Sequence, residues 1–117
     1  MGKGVVPERP EFEVTISADD GVRVVAVSGE LDIDTMAELN AALRTGAGLG
    51  ATTVVDLRGL TFIDSTGVSG LLAASRGAQE AGRRLVCVPG PASIQRIFQL
   101  TGLDTVLEWV DGPEDLG

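Results

Sequence analysis

The chain of 117 residues contains no histidine. That absence removes the most common general base, the most common metal ligand and the usual partner of a serine nucleophile. The single lysine, Lys3, lies in the polar N-terminal stretch, so a Ser–Lys dyad finds no lysine within the folded part. One cysteine, Cys87, excludes an internal disulfide and gives no sign of an oxidising compartment. No apolar run approaches the roughly 18 to 20 residues needed to cross a bilayer. The N-terminus, MGKGVVPERPE, lacks the apolar core of a signal peptide. No membrane segment is expected, and the expected location is the cytoplasm. Positive charge is scarce as well: the formal net charge is -8. A chain that acidic repels phosphate backbones, which argues against direct nucleic-acid binding. Metal binding would have to use carboxylates alone. Asp32 and Asp34 sit two apart, but no further acidic cluster has ligand-loop spacing, so they read as charge at a helix start, and no metal or other cofactor is expected.

What is present describes one globular domain. The composition is 44% hydrophobic and 22% charged, and a chain this long buries a core without staples. Residues 1–10, with Pro7 and Pro10, read as a flexible tail; 11–111 form the domain; 112–117 form an acidic tail. Phe12, Val14 and Ile16 alternate with polar residues, and Asp19-Asp20-Gly21 supplies a hairpin turn into a β-branched second strand over Val22–Val27. Gly29–Asp34 reads as a connection. Thr35 with Glu38 forms a capping box for a helix whose apolar face carries Met36, Leu39 and Leu43, and Gly46, Gly48 and Gly50 end it. Thr53–Leu57 predicts a buried strand, and Arg58–Asp64 a loop. A helix follows over Thr66–Ala81, with Gly82 as its stop. Arg84–Val88 predicts a fourth strand, Ser93–Thr101 a short helix and Val106–Val110 a last strand. The order ββαβαβα(β) implies an α/β fold: a mixed sheet with an opening hairpin and helices packed mainly on one face.

Several motif-like segments fail on context. Gly46-Ala47-Gly48-Leu49-Gly50 follows a helix and precedes a strand, the reverse of a pyrophosphate loop. Asp64-Ser65-Thr66-Gly67 approaches the Asp-Ser/Thr-Gly of aspartic proteases, but its glycine comes one residue late and no second carboxylate is indicated. A receiver domain would need a lysine on a late strand, and there is none. Ser65 remains, at the junction of the third strand and the second helix. Serine is a preferred N-cap, worth about 1 kcal/mol, and that role alone accounts for it. The same place suits a phosphate, because the first helical turn offers free N–H groups and a partial positive charge. Gly67 would leave the backbone open for a partner to approach, and Asp64 would repel a phosphate and help to eject that partner.

Val54-Val55-Asp56-Leu57 followed by Phe62-Ile63-Asp64-Ser65-Thr66-Gly67-Val68 resembles the signature of STAS domains, specifically bacterial anti-sigma factor antagonists. Gly29-Glu30-Leu31-Asp32, Leu85-Val86-Cys87-Val88, Ile94-Gln95-Arg96-Ile97-Phe98 and Thr101-Gly102-Leu103 extend the resemblance over roughly residues 12 to 110. The resemblance implies a non-enzymatic, partner-switching phosphoprotein of transcription regulation and stress response. The unphosphorylated protein would bind an anti-sigma factor that is also a serine kinase and free the sigma factor. The kinase would phosphorylate Ser65, the antagonist would let go, and a serine phosphatase would reset it. Asp32, Asp64, Ser65, Thr66 and Gly67 match positions on the docking face. Thr66 stands where many members carry a second serine and is expected to be a poor acceptor.

Two other readings compete. A non-enzymatic STAS subunit of a sensory or transport complex would keep the fold and change the partner. A hydrolase using Ser65 would lack any plausible general base. Cys87 and Trp109 read as core residues, and Arg96 as either a solvated helix residue or part of a partner face.

Overall fold

The computed structural model of the protein describes residues 12–44 and 52–115. The proposed N-terminal tail and the Gly46, Gly48 and Gly50 loop lie outside these residues. Strand β1 (Glu13–Asp19) pairs antiparallel with β2 (Val22–Leu31) through a two-residue turn. Asp20 and Gly21 both take positive φ, 53° and 77°, as a primed hairpin turn requires. Helix α1 (Ile33–Arg44) crosses to β3 (Thr52–Ile63), which lies parallel to β2. Helix α2 (Ser65–Glu80) crosses to β4 (Arg84–Val88), parallel to β3, and α3 (Ala92–Leu100) follows. The sheet order is β1-β2-β3-β4, so it is mixed, as expected from the sequence.

One face carries the main core. Val25, Val27, Val55, Leu57, Leu85 and Cys87 from the strands meet Met36 and Leu39 of α1, Val68 and Leu71 of α2, and Ile94 and Phe98 of α3. The three helices therefore share a face, and Phe98 packs edge-on to Trp109 at 5.2 Å. On the other face Val54, Val86 and Val88 are fully buried, with Val110 packed against them.

Two expectations are corrected. The segment Arg58–Asp64 is no loop: β3 runs on to Ile63 through two register shifts against β2, one between Ala26 and Ser28 and one between Gly29 and Glu30. Each places one extra residue on β3, and a glycine in a strand interior is a common mark of such a bulge. At Gly59 a Cβ would come within 2.8 Å of the Ser28 Cβ, so glycine is what lets the strands stay paired. The expected strand over Val106–Val110 reduces to one bridge, Cys87 to Trp109, held by Cys87 N–H to Glu108 O and Val110 N–H to Cys87 O, both 2.9 Å. Residues Pro113–Asp115 form a 3-10 turn, and Gly112 before it is buried.

Burial pushes the Cys87 thiol up to about 12. The thiolate is the reactive form, so native protein is expected to resist Ellman's reagent at mildly alkaline pH and to react at once in denaturant. Rapid stoichiometric labelling of native protein would contradict this packing.

Candidate functional site

The C-terminal ends of β2 and β3 are register partners, Leu31 opposite Ile63. Each strand runs directly into a helix, and an aspartate stands at each junction. Asp32 caps α1: its Oδ1 accepts from the N–H groups of Asp34 and Thr35, both at 3.0 Å, and Thr35 Oγ1 accepts from the Asp32 N–H at 2.9 Å. Thr35 donates in turn to the Glu30 carbonyl at 2.7 Å. Thr35 is thus the third helical residue in a reciprocal cap with Asp32. The expected pairing of Thr35 with Glu38 is replaced, because the helix begins two residues before Thr35.

Helix α2 starts the same way. Asp64 is its N-cap, and Asp64 Oδ1 accepts from the Gly67 N–H at 3.0 Å. Ser65 is the first helical residue and not the cap, which corrects the capping account of that serine. The aspartate wins because the Asp64 N–H is bound to the Leu31 carbonyl at 3.2 Å, which holds Asp64 extended at φ -111°. Ser65 is left exposed, and its hydroxyl makes no hydrogen bond to any described residue. With Asp64 supplying the cap, helix stability gives Ser65 no evident task. Thr66 beside it is half-buried.

Gly67 is buried and faces inward. A Cβ there would approach Ile63 Cγ1 at 2.8 Å and the Leu31 carbonyl at 2.9 Å. It is needed to seat α2 on the strand ends, and the expectation of an open approach for a partner gives way to that role. The surface instead offers two apolar side chains that the sequence reading did not single out. Ile33, next to Asp32, is 70% exposed, and Phe62, three residues before Ser65, is 47% exposed. The available signal was a large apolar residue beside a capping aspartate at each junction. Asp32, Asp64, Ser65 and Thr66 therefore share one end of the sheet with this apolar surface.

Asp56 is a strand residue upstream of the site. Its carboxylate accepts from the Arg58 backbone N–H at 3.0 Å and from Nη2 at 2.8 Å, holding the chain at the first bulge. Burial alone would raise this carboxyl, but the hydrogen bonds and charge of Arg58 outweigh burial and hold it below the ordinary carboxylate range. A carboxyl depressed in the folded state adds stability above its unfolded pKa, about 3.9, and that stability fades as pH falls through the folded value. Arg58→Gln is therefore expected to lower the urea midpoint at neutral pH, with the gap to the parent closing below about pH 4. A gap of constant size across that range would contradict the pairing. At the cap, Asp64→Ala is expected to cost about 1 kcal/mol in urea unfolding and Asp64→Asn much less, because asparagine also caps. Equal losses for both would contradict the capping role.

Among the described residues no group of three or more His, Cys, Asp or Glu side chains could hold a metal ion. No described helix is long and apolar enough to cross a membrane. Comparison with known proteins gives a consistent picture. The family described as "Mlab, STAS domain" matches residues 14–108. The chain is 32% identical over 83 residues to an anti-sigma F factor antagonist of Lysinibacillus sphaericus, covering 68% of this chain and 70% of that protein. The crystal structure of an anti-sigma factor antagonist from Mycobacterium paratuberculosis superposes with a TM-score of 0.78 at 28% identity, over 90% of each chain. The Bacillus cell fate determinant SpoIIAA, solved in its phosphorylated form, shares the fold with a TM-score of 0.65 at 23% identity, over 89% of this chain and 95% of that one. The chain belongs to the STAS domain family and is similar to that family's anti-sigma factor antagonists.

Proposed function

We propose that the protein is an anti-sigma factor antagonist whose unphosphorylated form binds an anti-sigma factor serine kinase and releases the sigma factor, and that phosphorylation of Ser65 switches this binding off. The observation that carries the reading is an exposed serine at the first position of α2 whose helix is already capped by Asp64. A kinase can reach that hydroxyl, and modifying it leaves the cap intact.

The face around it suits a partner. Ile33 and Phe62 offer apolar area whose burial stabilises a complex at about 25 cal/mol per Å2. Asp64 uses Oδ1 for the cap and keeps acceptor capacity for donors on a partner. A phosphate on Ser65 adds about -1.5 to -2 charge at this face. It would have to lose water on docking and would stand near two carboxylates, so the complex is weakened while the fold barely changes. The first-turn N–H groups and the α2 dipole stabilise the modified state within the free protein. ATP and catalytic groups come from the kinase, and a serine phosphatase restores the hydroxyl. In this reading the protein is substrate and ligand and carries out no catalysis of its own.

The test is titration calorimetry with anti-sigma factor kinases from the same genome. Parent and Ser65→Ala are expected to bind alike. Ser65→Asp is expected to bind at least about tenfold more weakly, a loss of about 1.4 kcal/mol, and Ile33→Ala with Phe62→Ala to weaken binding without changing the urea midpoint. Unchanged affinity in Ser65→Asp would remove the switch. No binding to any such kinase would remove the antagonist reading and favour a STAS subunit of another assembly.

A further inference from the structure

Helix α2 buries Val68, Leu71 and Ser75 along one stripe. The serine is the polar member of that stripe, and it is only 9% exposed. Its hydroxyl makes no hydrogen bond to any described residue. A hydroxyl sealed in the core without a partner carries a desolvation cost. Among the described residues no sealed side-chain oxygen or nitrogen lacks a partner, so the Ser75 oxygen opens onto free space. That space is a cavity of about 260 Å3 bounded by the second half of α2, the entry to β4 and the segment after α3. Ser75 and Gln79 line it from α2, and Arg83 and Arg84 from the entry to β4. Glu108 is the one carboxylate among its described lining residues, and Arg84 already holds it through Nε, at 3.2 Å to both oxygens, and through Nη2. Arg83 makes no ion pair with a described carboxylate. It also borders a separate cavity, with Arg23 and Arg44. The apolar part of the lining is Leu85 and Val106, and Val106 is 52% exposed.

We propose that this cavity is a binding site for a small organic monocarboxylate, held by Ser75, Gln79 and Arg83 with its apolar body against Leu85 and Val106. The Ser75 hydroxyl and the Gln79 amide each have a proton to donate to a carboxylate oxygen, and the Arg83 guanidinium offers paired N–H donors that match its shape. The charge of the ligand follows from the lining. Arg84 and Glu108 neutralise each other, so Arg83 is left to match one negative charge. A phosphate dianion would bring a second one close to Glu108. The volume lies below the ~300–1,000 Å3 of drug-sized sites, which restricts the ligand to a small molecule. Ser75 lies ten residues beyond Ser65, about 15 Å along α2, so the site does not depend on what Ser65 does.

The test is a backbone-amide NMR titration of the full chain with benzoate and, separately, with benzamide, its neutral counterpart. Saturable shifts are expected for benzoate at residues 75–79, 83–85 and 106–108. Benzamide should bind at least about tenfold more weakly, because hydrogen bonds to a charged group are the stronger ones. Ser75→Ala should lower benzoate affinity at least about threefold, the worth of a single hydrogen bond. Its urea midpoint should be at least as high as that of the parent, since alanine favours the helix and the lost hydroxyl has no partner within the fold. Arg83→Gln changes an exposed side chain and should lower benzoate affinity at least about tenfold. Ser65→Asp should leave it unchanged. Shifts that never saturate would mean that the cavity holds water only, and would overturn the proposal. Equal affinity for benzamide, undiminished affinity in either site variant, a lower urea midpoint in Ser75→Ala, or shifts centred on Ser65 would each overturn it as well.

Discussion

The hydrogen bond from the Asp64 N–H to the Leu31 carbonyl ties the ends of β2 and β3 together, and the functional end of the molecule is organised around it. With Leu31 opposite Ile63, the two strands release their chains side by side, and Asp32 and Asp64 become the caps of adjacent helices. The same link holds Asp64 extended, which makes Ser65 the first helical residue and leaves its hydroxyl to the surface. A one-residue slip of β3 would turn Val55 and Leu57 out of the core, so the register is fixed by burial as well as by the bond. The two bulges reconcile these demands: they let a longer β3 keep both its buried valines and its terminal pairing with β2.

Much of this architecture is legible in the residues. The alternation in β1, the Asp20-Gly21 turn and the β-branched run of β2 specify the hairpin, and the helical faces of Met36, Leu39, Val68 and Leu71 specify what the helices bury. The course of β3 beyond Leu57 is not legible in the same way. Arg58–Asp64 reads as a loop in isolation, and only the approach of Ser28 shows why a glycine sits inside the strand. The choice of cap is hard to read from the sequence for a related reason. Asp64 and Ser65 both have good capping chemistry, as do Asp32 and Thr35, and which one serves depends on where the preceding strand ends. The last strand shrank to one bridge because Glu108 and Val110 bond to Cys87, on β4 at the sheet edge, and the pairing goes no further.

Residues that meet in the fold but lie far apart in sequence are the least legible. Arg23, Arg44 and Arg83 are spread over three segments of an acidic chain, and only the crossover connections bring them to one cavity. Helix α2, 16 residues and thus about 24 Å long, runs between that cavity and the face around Ser65.

The central claim is that Ser65 is a phosphate acceptor and not a helix cap. Incubation of the purified protein with ATP and each candidate anti-sigma factor kinase from its own genome, followed by mass-spectrometric mapping, tests it most directly. The account predicts one phosphate on Ser65, none on Thr66, and none in Ser65→Ala. Stable binding to a kinase that leaves Ser65 unmodified would contradict it.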